Sequence, residues 1–492
     1  MKHNLYKKLI AMLLLSALIL PSCTSAPADD EEPAGNTNEV VETEPETTLE
    51  DVYPLPTAKY DGKTFDMLVV KTGYWGQDYN DLYMAEDDVG DTVGSAAYQR
   101  TLQIESDYAV KFVQTEVPDA MGQAMNLYTA GDTTYELIQS RAVAMMPGMA
   151  SSGMLADVNE IAQLNLDAPW YNQSLLESIS VANRTYMLGG DATVVDKTGI
   201  AAVMFNKTLA TNLQIPDIYQ TVYDGKWTLD LLAQYAESAK IDENGDGDYD
   251  KETDTIGLIA EDFYGWNLVA GAGYPICLKD ENDIPYFTSG TEGAIDAMTK
   301  IQALLYNDNI RKGSGFGEND YMNVFSTNHA LFHMNVISTI AQFRDMESDF
   351  GIIPLPKYNE AQKSYTATFS PYVGRFVAIP VQNPDIEFIG NVIDLLYRVG
   401  SETVTPAFYD VLLSGKVARD QTSTDMLDMV FNGAVADIGA IYNWGNCWFT
   451  YQQYIAARME SWASTWKTIE SSAQASLEDT IEQYTKIAEA AE

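Results

Sequence analysis

The sequence predicts an α/β protein built as two large lobes. Short apolar runs that read as buried strands alternate with segments of helical spacing, the pattern of parallel sheets flanked by helices. The body of the chain, roughly 440 residues from Tyr53 onward, is too long for one hydrophobic core. The composition of the whole chain, 46% apolar with no low-complexity tract beyond the N-terminal region, is that of a globular protein.

The N-terminus reads separately. Lys2, Lys7 and Lys8 precede the apolar run Leu9 to Leu20, which ends in Leu20-Pro21-Ser22-Cys23. A basic start, a short apolar core and small residues before a cut site make an export signal over 1–22. The run falls short of the roughly 20 residues that span a bilayer. Cys23 at that boundary resembles the lipobox of bacterial lipoproteins, which implies lipidation there and a protein held on the extracellular face of the cell membrane. Thr24 to Val52 carries ten acidic residues and no basic one. Such a stretch cannot bury enough apolar surface to fold and its charges repel, so 23–52 is expected to be a disordered tether. No later apolar segment is long enough to cross a membrane.

In the body, Thr64 to Val70 reads as the first strand, Thr92 to Ser106 as a helix, and Tyr135 to Ile138 as the next strand after the turn Ala130-Gly131-Asp132. Ligands of α/β sheets sit at the carboxyl ends of strands. Tyr74, Trp75 and Tyr79 after the first strand, and Arg141 after the second, are therefore candidates. Ala201 to Lys207 gives another strand with a polar exit. Thr228 is placed to cap a helix opening at Leu229. Phe350 to Tyr358 reads as a strand ended by Pro354 and Pro356.

A net charge of −42 argues against nucleic acid and against anionic substrates, which the chain as a whole would repel. Besides Cys23 there are two cysteines, Cys277 and Cys447; no spacing pattern supports a disulfide between them, and two buried thiols are the simpler expectation. His329 and His333 stand four apart, as two metal ligands on a helix would, but Ala330 occupies the place of the zincin glutamate, so ordinary helix residues are expected. Gly62-Lys63-Thr64 ends like a nucleotide-binding loop, yet Thr57 stands where its first glycine belongs. Any ATPase or channel must be another chain. With 71 acidic residues, counting acids does not eliminate a carboxylate-pair glycosidase.

Asp242 to Asp254 carries distinct chemistry. Asp242, Asn244, Asp246, Asp248 and Asp250 supply oxygens at alternating positions, with Gly247 at the sixth place, like the first part of an EF-hand calcium loop. Thr253 stands at position twelve, between Glu252 and Asp254. A structural calcium and a solvated acidic turn are equally open readings, and no other cofactor is required.

Several segments together resemble a known family. Phe205-Asn206-Lys207, Gly225-Lys226-Trp227-Thr228, Gly351 to Lys357, Val404 to Tyr409, and Arg419-Asp420 followed by Ser423, Met426, Leu427 and Asp428 are similar in order and spacing to the solute-binding proteins of bacterial ABC importers, in the oligosaccharide class that includes maltose-binding protein. The resemblance implies a periplasmic-binding-protein-like fold: two α/β lobes, a hinge, and a ligand gripped between them. Lobe one would take 53–190 and about 375–400; lobe two, 198–370 and much of 401–492. The chain crosses near Gly189 to Lys197 and again near Tyr372 to Ile379. It implies no enzyme activity, a monomer, a polar solute with a mono- or oligosaccharide leading, and ABC permease subunits as partners. A lipid-anchored glycosidase and a glycan-binding surface protein without a transport role remain the alternatives.

A sugar offers C–H faces to aromatic rings and a hydroxyl rim to carboxylates, amides and guanidinium groups. The candidates are Tyr74, Trp75 and Arg141 from lobe one, Asp191 at the hinge, Trp266 and Asn335 from lobe two, Tyr372 at the second crossing, and the cluster Asn443, Trp444 and Trp448. Trp75 and Trp444 lead, because a polar loop context is unnatural for core packing.

Overall fold

The computed structural model describes residues 48–71, 81–250, 253–262, 264–313, 320–414 and 421–491. The export signal, Cys23, Tyr74, Trp75, Tyr79 and the Arg419-Asp420 pair lie outside these residues. The chain divides into two compact units, Met1–Pro54 and Leu55–Glu492. In the first, the described residues include one helical turn, Leu49–Val52. Thr48 caps it reciprocally: the Asp51 amide donates to Thr48 Oγ1 at 3.3 Å, and the Thr48 amide to Asp51 Oδ2 at 2.8 Å.

The second unit is built on two mixed sheets. Its described strands are β1 (Lys63–Val70), β2 (Val110–Val117), β3 (Leu137–Arg141), β4 (Ala201–Asn206), β5 (Ile256–Ile259), β6 (Cys277–Lys279), β7 (Pro285–Phe287), β8 (Arg311–Lys312), β9 (Ala330–Val336), β10 (Phe350–Ile353), β11 (Ala367–Thr368), β12 (Arg375–Ala378) and β13 (Ala434–Val435). The first sheet runs β12-β3-β1-β2 and the second β10-β4-β9-β5-β8. Two small pairs, β6-β7 and β11-β13, complete the set. β1 buries Phe65, Met67, Leu68, Val69 and Val70, and β4 is buried at every position. Continuous apolar runs mark strands covered on both faces.

The expectation of parallel sheets needs correction. β1 is parallel to β2 and β3, but β12 returns antiparallel against β3. In the second sheet β4 is antiparallel to both β9 and β10. The strand expected at Tyr135 begins two residues later. Asp132 Oδ1 accepts the Thr134 amide at 2.8 Å, and this side-chain turn keeps the chain out of the ladder until Leu137. The Phe350 strand ends at Ile353, before its prolines. His333 lies on β9, not on a helix, so the four-residue histidine spacing has no helical face to share. Thr228 does cap the helix Leu229–Ser238, accepting the Leu231 amide at 3.4 Å.

Two chain segments join the sheets side by side. Residues 188–200 lead from a bridge between Leu188 and Val377 to one between Ile200 and Phe369, and residues 369–377 return. Where they touch, a Cβ on Gly199 would fall 2.8 Å from the Gly374 amide nitrogen, so only glycine fits. The closing helix, Trp462–Ala491, buries Trp462, Trp466, Leu477 and Tyr484. Among the described residues no helix is long and apolar enough to cross a membrane. Cys277 and Cys447 are both buried free thiols, and Cys447 Sγ donates to the Gly439 carbonyl at 3.2 Å.

Candidate functional site

A cavity of about 440 Å³ opens where the first sheet's strand ends meet the helix Cys447–Ala456. That volume lies within the roughly 300–1,000 Å³ of small-molecule sites. Val70 ends β1, and Ser140 and Arg141 end β3; Pro118 and Asp119 follow β2, and Val143 and Ala144 follow β3. Trp448, Phe449 and Gln452 come from the helix, and Tyr372 from the segment crossing between sheets. Parallel β1, β2 and β3 necessarily present their carboxyl ends at one edge, which is why residues distant in sequence gather there.

Among the described residues, Arg141, Tyr372 and Trp448 are the three sequence candidates brought together on this wall. Tyr372 stacks on Trp448 with ring centroids 4.9 Å apart and 18° between planes. Phe449 meets Trp448 edge-on at 4.9 Å. The Trp448 amide donates to Asn443 Oδ1 at 2.9 Å, which fixes the start of its helix. Burial pushes the Tyr372 hydroxyl above its ordinary pKa, so it is a neutral hydrogen-bonding group at physiological pH.

The other described candidates do not line the cavity. Trp444 is 4% exposed; it stacks on Tyr442 at 4.7 Å and donates from Nε1 to Thr480 Oγ1 at 2.8 Å, on the closing helix. The loop around it is polar, but the closing helix covers the ring. Asn443 takes the left-handed conformation, φ 49°, between two helices and serves the turn. Trp266 stands behind the wall, edge-on to Trp448 at 5.9 Å, with Nε1 donating to Asp437 Oδ2 at 3.0 Å. Asn335 Oδ1 accepts Tyr264 Oη at 2.7 Å and the Val336 amide at 2.8 Å.

Asp191 belongs to the crossing. Its Oδ1 pairs with Lys197 Nζ at 2.9 Å and accepts Thr405 Oγ1 at 2.8 Å. Lys197 also faces Asp196 at 3.6 Å. Burial works against the Lys197 charge, yet the two carboxylates outweigh it and raise its pKa. Burial pushes Asp196 up to about 6 despite Lys197. This ion cluster ties the first crossing together.

In the Asp242 to Asp254 loop the carboxylates accept backbone amides. Asp242 takes Gly245 and Gly247, Asp246 takes Asp248, and Asp254 takes Glu243 and Asp250. Among the described residues no group of three or more His, Cys, Asp or Glu is gathered to hold a metal ion. His329 and His333 therefore form no metal pair with a third ligand there.

Sequence reasoning missed Asp119, Ser140, Phe449 and Gln452. Gln452 was within reach, because helical spacing puts it on the same face as Trp448, four residues before it. Ser140 and Asp119 carry no local signal; strand pairing alone brings them to the edge.

No protein-family model matches the chain, and no curated protein sequence matches it. Solved structures do. An ABC substrate-binding protein from Listeria monocytogenes in complex with cycloalternan aligns with TM-score 0.52 and 11% identity, over 86% of this chain and 99% of that one. An ABC transporter solute-binding protein from Thermotoga lettingae bound with α-D-tagatose gives 0.54 and 14%, over 85% and 100%. UgpB from Mycobacterium tuberculosis in complex with glycerophosphocholine gives 0.54 and 15%, over 79% and 96%. At such identities the likeness is one of fold. The chain has the periplasmic-binding-protein-like α/β fold that these solved solute-binding proteins share.

Proposed function

We propose that this chain is the extracellular solute-binding component of an ABC importer, held on the membrane through Cys23. It captures a carbohydrate between two closing lobes and delivers it to a permease. The lobes are proposed as 53–190 with about 375–400, and 198–370 with much of 401–492. The observation that carries the reading is the aromatic-walled cavity of about 440 Å³ at the strand ends, where Tyr372 and Trp448 stack beside Arg141. Rings suit the C–H face of a sugar, and Arg141, Gln452, Ser140 and Asp119 suit its polar rim. The fold supports the transport role, since the similar structures include solute-binding proteins with cycloalternan and tagatose bound. Paired crossing segments supply a hinge about which lobes can close.

The test is a thermal-shift screen of the purified body against a glycan library, with product analysis of every hit. A ligand at a hundred times its Kd adds about 2.7 kcal/mol of apparent stability. Stabilisation without hydrolysis is expected. Cleavage of the glycan would favour a glycosidase. Separately, Cys23→Ala is expected to leave the protein unanchored with binding intact; a processed variant that stays on the membrane refutes the lipid anchor.

A further inference from the structure

The cavity at the strand ends has two unlike linings. On the helix side stand the rings of Trp448 and Phe449, with Tyr372 stacked on Trp448. On the side of the strand ends the lining is largely aliphatic: Val70 ends β1, Pro118 follows β2, and Val143 and Ala144 follow β3. Val143 and Ala144 are half-buried, so their methyl groups stay open to contact. A pyranose lays a C–H face on a ring and carries hydroxyls around its rim. A hydroxyl set against aliphatic carbon gives up water and gains no bond in return. The aliphatic lining is therefore poorly matched by a plain sugar and suits a methyl-bearing substituent.

The uncharged polar groups of the lining point to the same substituent. Among the described residues no hydrogen bond engages the side chains of Ser140, Tyr372 or Gln452, all of which line the cavity. Each of the three both donates and accepts. Ser140 belongs to β3, and Gln452 to the helix Cys447–Ala456, one turn beyond Trp448, so the two come to the cavity from different walls. A secondary acetamide is planar and trans, with its N–H and its carbonyl directed oppositely. It needs an acceptor on one side and a donor on the other, which a hydroxyl and a carboxamide on different walls can supply. Its methyl is the apolar group that the aliphatic lining can cover. An uncharged solute also agrees with the net charge of −42.

Resting on the carbohydrate reading of this cavity, we propose that the captured solute is an N-acetylated amino sugar, free or as a unit of a short glycan. Its ring lies against the aromatic wall of Tyr372, Trp448 and Phe449. Its acetyl methyl packs on Val143 and Ala144, and Gln452 and Ser140 hold the acetamide. In an apolar pocket one methylene is worth roughly 10–200-fold in discrimination, so the acetamide outweighs the hydroxyl whose place it takes.

The experiment is calorimetric titration of the purified protein with paired sugars: N-acetylglucosamine beside glucose, N-acetylgalactosamine beside galactose, and diacetylchitobiose beside cellobiose. Wild type, Gln452→Leu and Val143→Thr are compared, and thermal unfolding confirms that each variant is folded. In a pair that binds, the acetylated sugar is expected to bind roughly tenfold tighter than its parent, or more. Gln452→Leu, which keeps the volume and loses the amide, should erase most of that preference. Val143→Thr, which trades a methyl for a hydroxyl at nearly equal size, should lower it severalfold. Equal or tighter binding of the parent sugars overturns the proposal while the carbohydrate reading stands, and so does a preference that survives in full in either variant. Binding in the glycan library confined to sugars without an acetamide overturns it likewise. If no saccharide of the library binds, the carbohydrate reading falls and this proposal with it.

Discussion

Acidification should destabilise this protein through one residue, His333. It sits on β9, in the middle of the second sheet, level with Met204 on β4 and Ile259 on β5. Its ring lies 5.6 Å from Phe325 and 5.1 Å from Phe343, is 2% exposed, and has no hydrogen-bond partner at either nitrogen among the described residues. Burial without a partner penalises the charged form and pushes its pKa down to about 3. The folded pKa is thus depressed below the unfolded value of about 6.5, so the contribution is fully present above pH 6.5 and is lost as pH falls toward 3. Each unit in that window costs about 1.4 kcal/mol, which makes the loss between pH 7 and pH 5 about 2 kcal/mol. Phenylalanine suits the aromatic surroundings and cannot titrate. Urea unfolding of wild type and His333→Phe at the two pH values isolates the effect, because every other group is common to both proteins and cancels. The wild type should lose about 2 kcal/mol more than the variant. At pH 7 the variant should be at least as stable, since no buried nitrogen goes unpaired. Equal losses in the two proteins would show that His333 has a partner or reaches water, and the argument would fail.

Three further outcomes follow from the packing. Trp448→Ala should weaken binding of the captured solute by roughly thirtyfold, about 2 kcal/mol, and also cost stability because the ring is largely buried, whereas Trp444→Ala should cost about 3–5 kcal/mol of stability and leave affinity in the folded fraction unchanged; calorimetry beside thermal unfolding separates the two, and unchanged affinity in folded Trp448→Ala would remove that residue from the site. Gly199→Ala should destabilise by about 1–3 kcal/mol, because its Cβ meets backbone rather than a movable side chain; a denaturant midpoint equal to the wild type's would show that the crossing segments part freely. In the Asp242 to Asp254 loop the carboxylates are engaged by backbone amides, so unfolding midpoints with calcium and with chelator should coincide; a midpoint that falls with chelator in the wild type but not in Asp246→Ala would establish the calcium.

Local chemistry made much of this protein legible from its sequence. The runs at Met67 to Val70 and Ala201 to Phe205 are apolar without interruption, and only a strand covered on both faces hides every side chain. Thr228 before Leu229 supplies an oxygen for an orphan amide, a bond made within one helical turn. Arg141 was nameable as a candidate from a strand end, Trp448 from an aromatic cluster and Tyr372 from the crossing that the resemblance implies, and the three line one cavity. Tertiary structure alone decided the rest. Strand direction was not legible, since an apolar run serves parallel and antiparallel ladders equally; the return of β12 against β3 is set by where the chain crosses. Trp444 and Trp448 stand four residues apart and differ in fate because the closing helix, some thirty residues further on, covers the first and leaves the second at the cavity. Arg141 and Arg375 lie far apart in sequence, and only the ladder register makes them neighbours. Hydrogen bonds and burial within a turn are properties of a segment, whereas a cavity is a property of which segments meet.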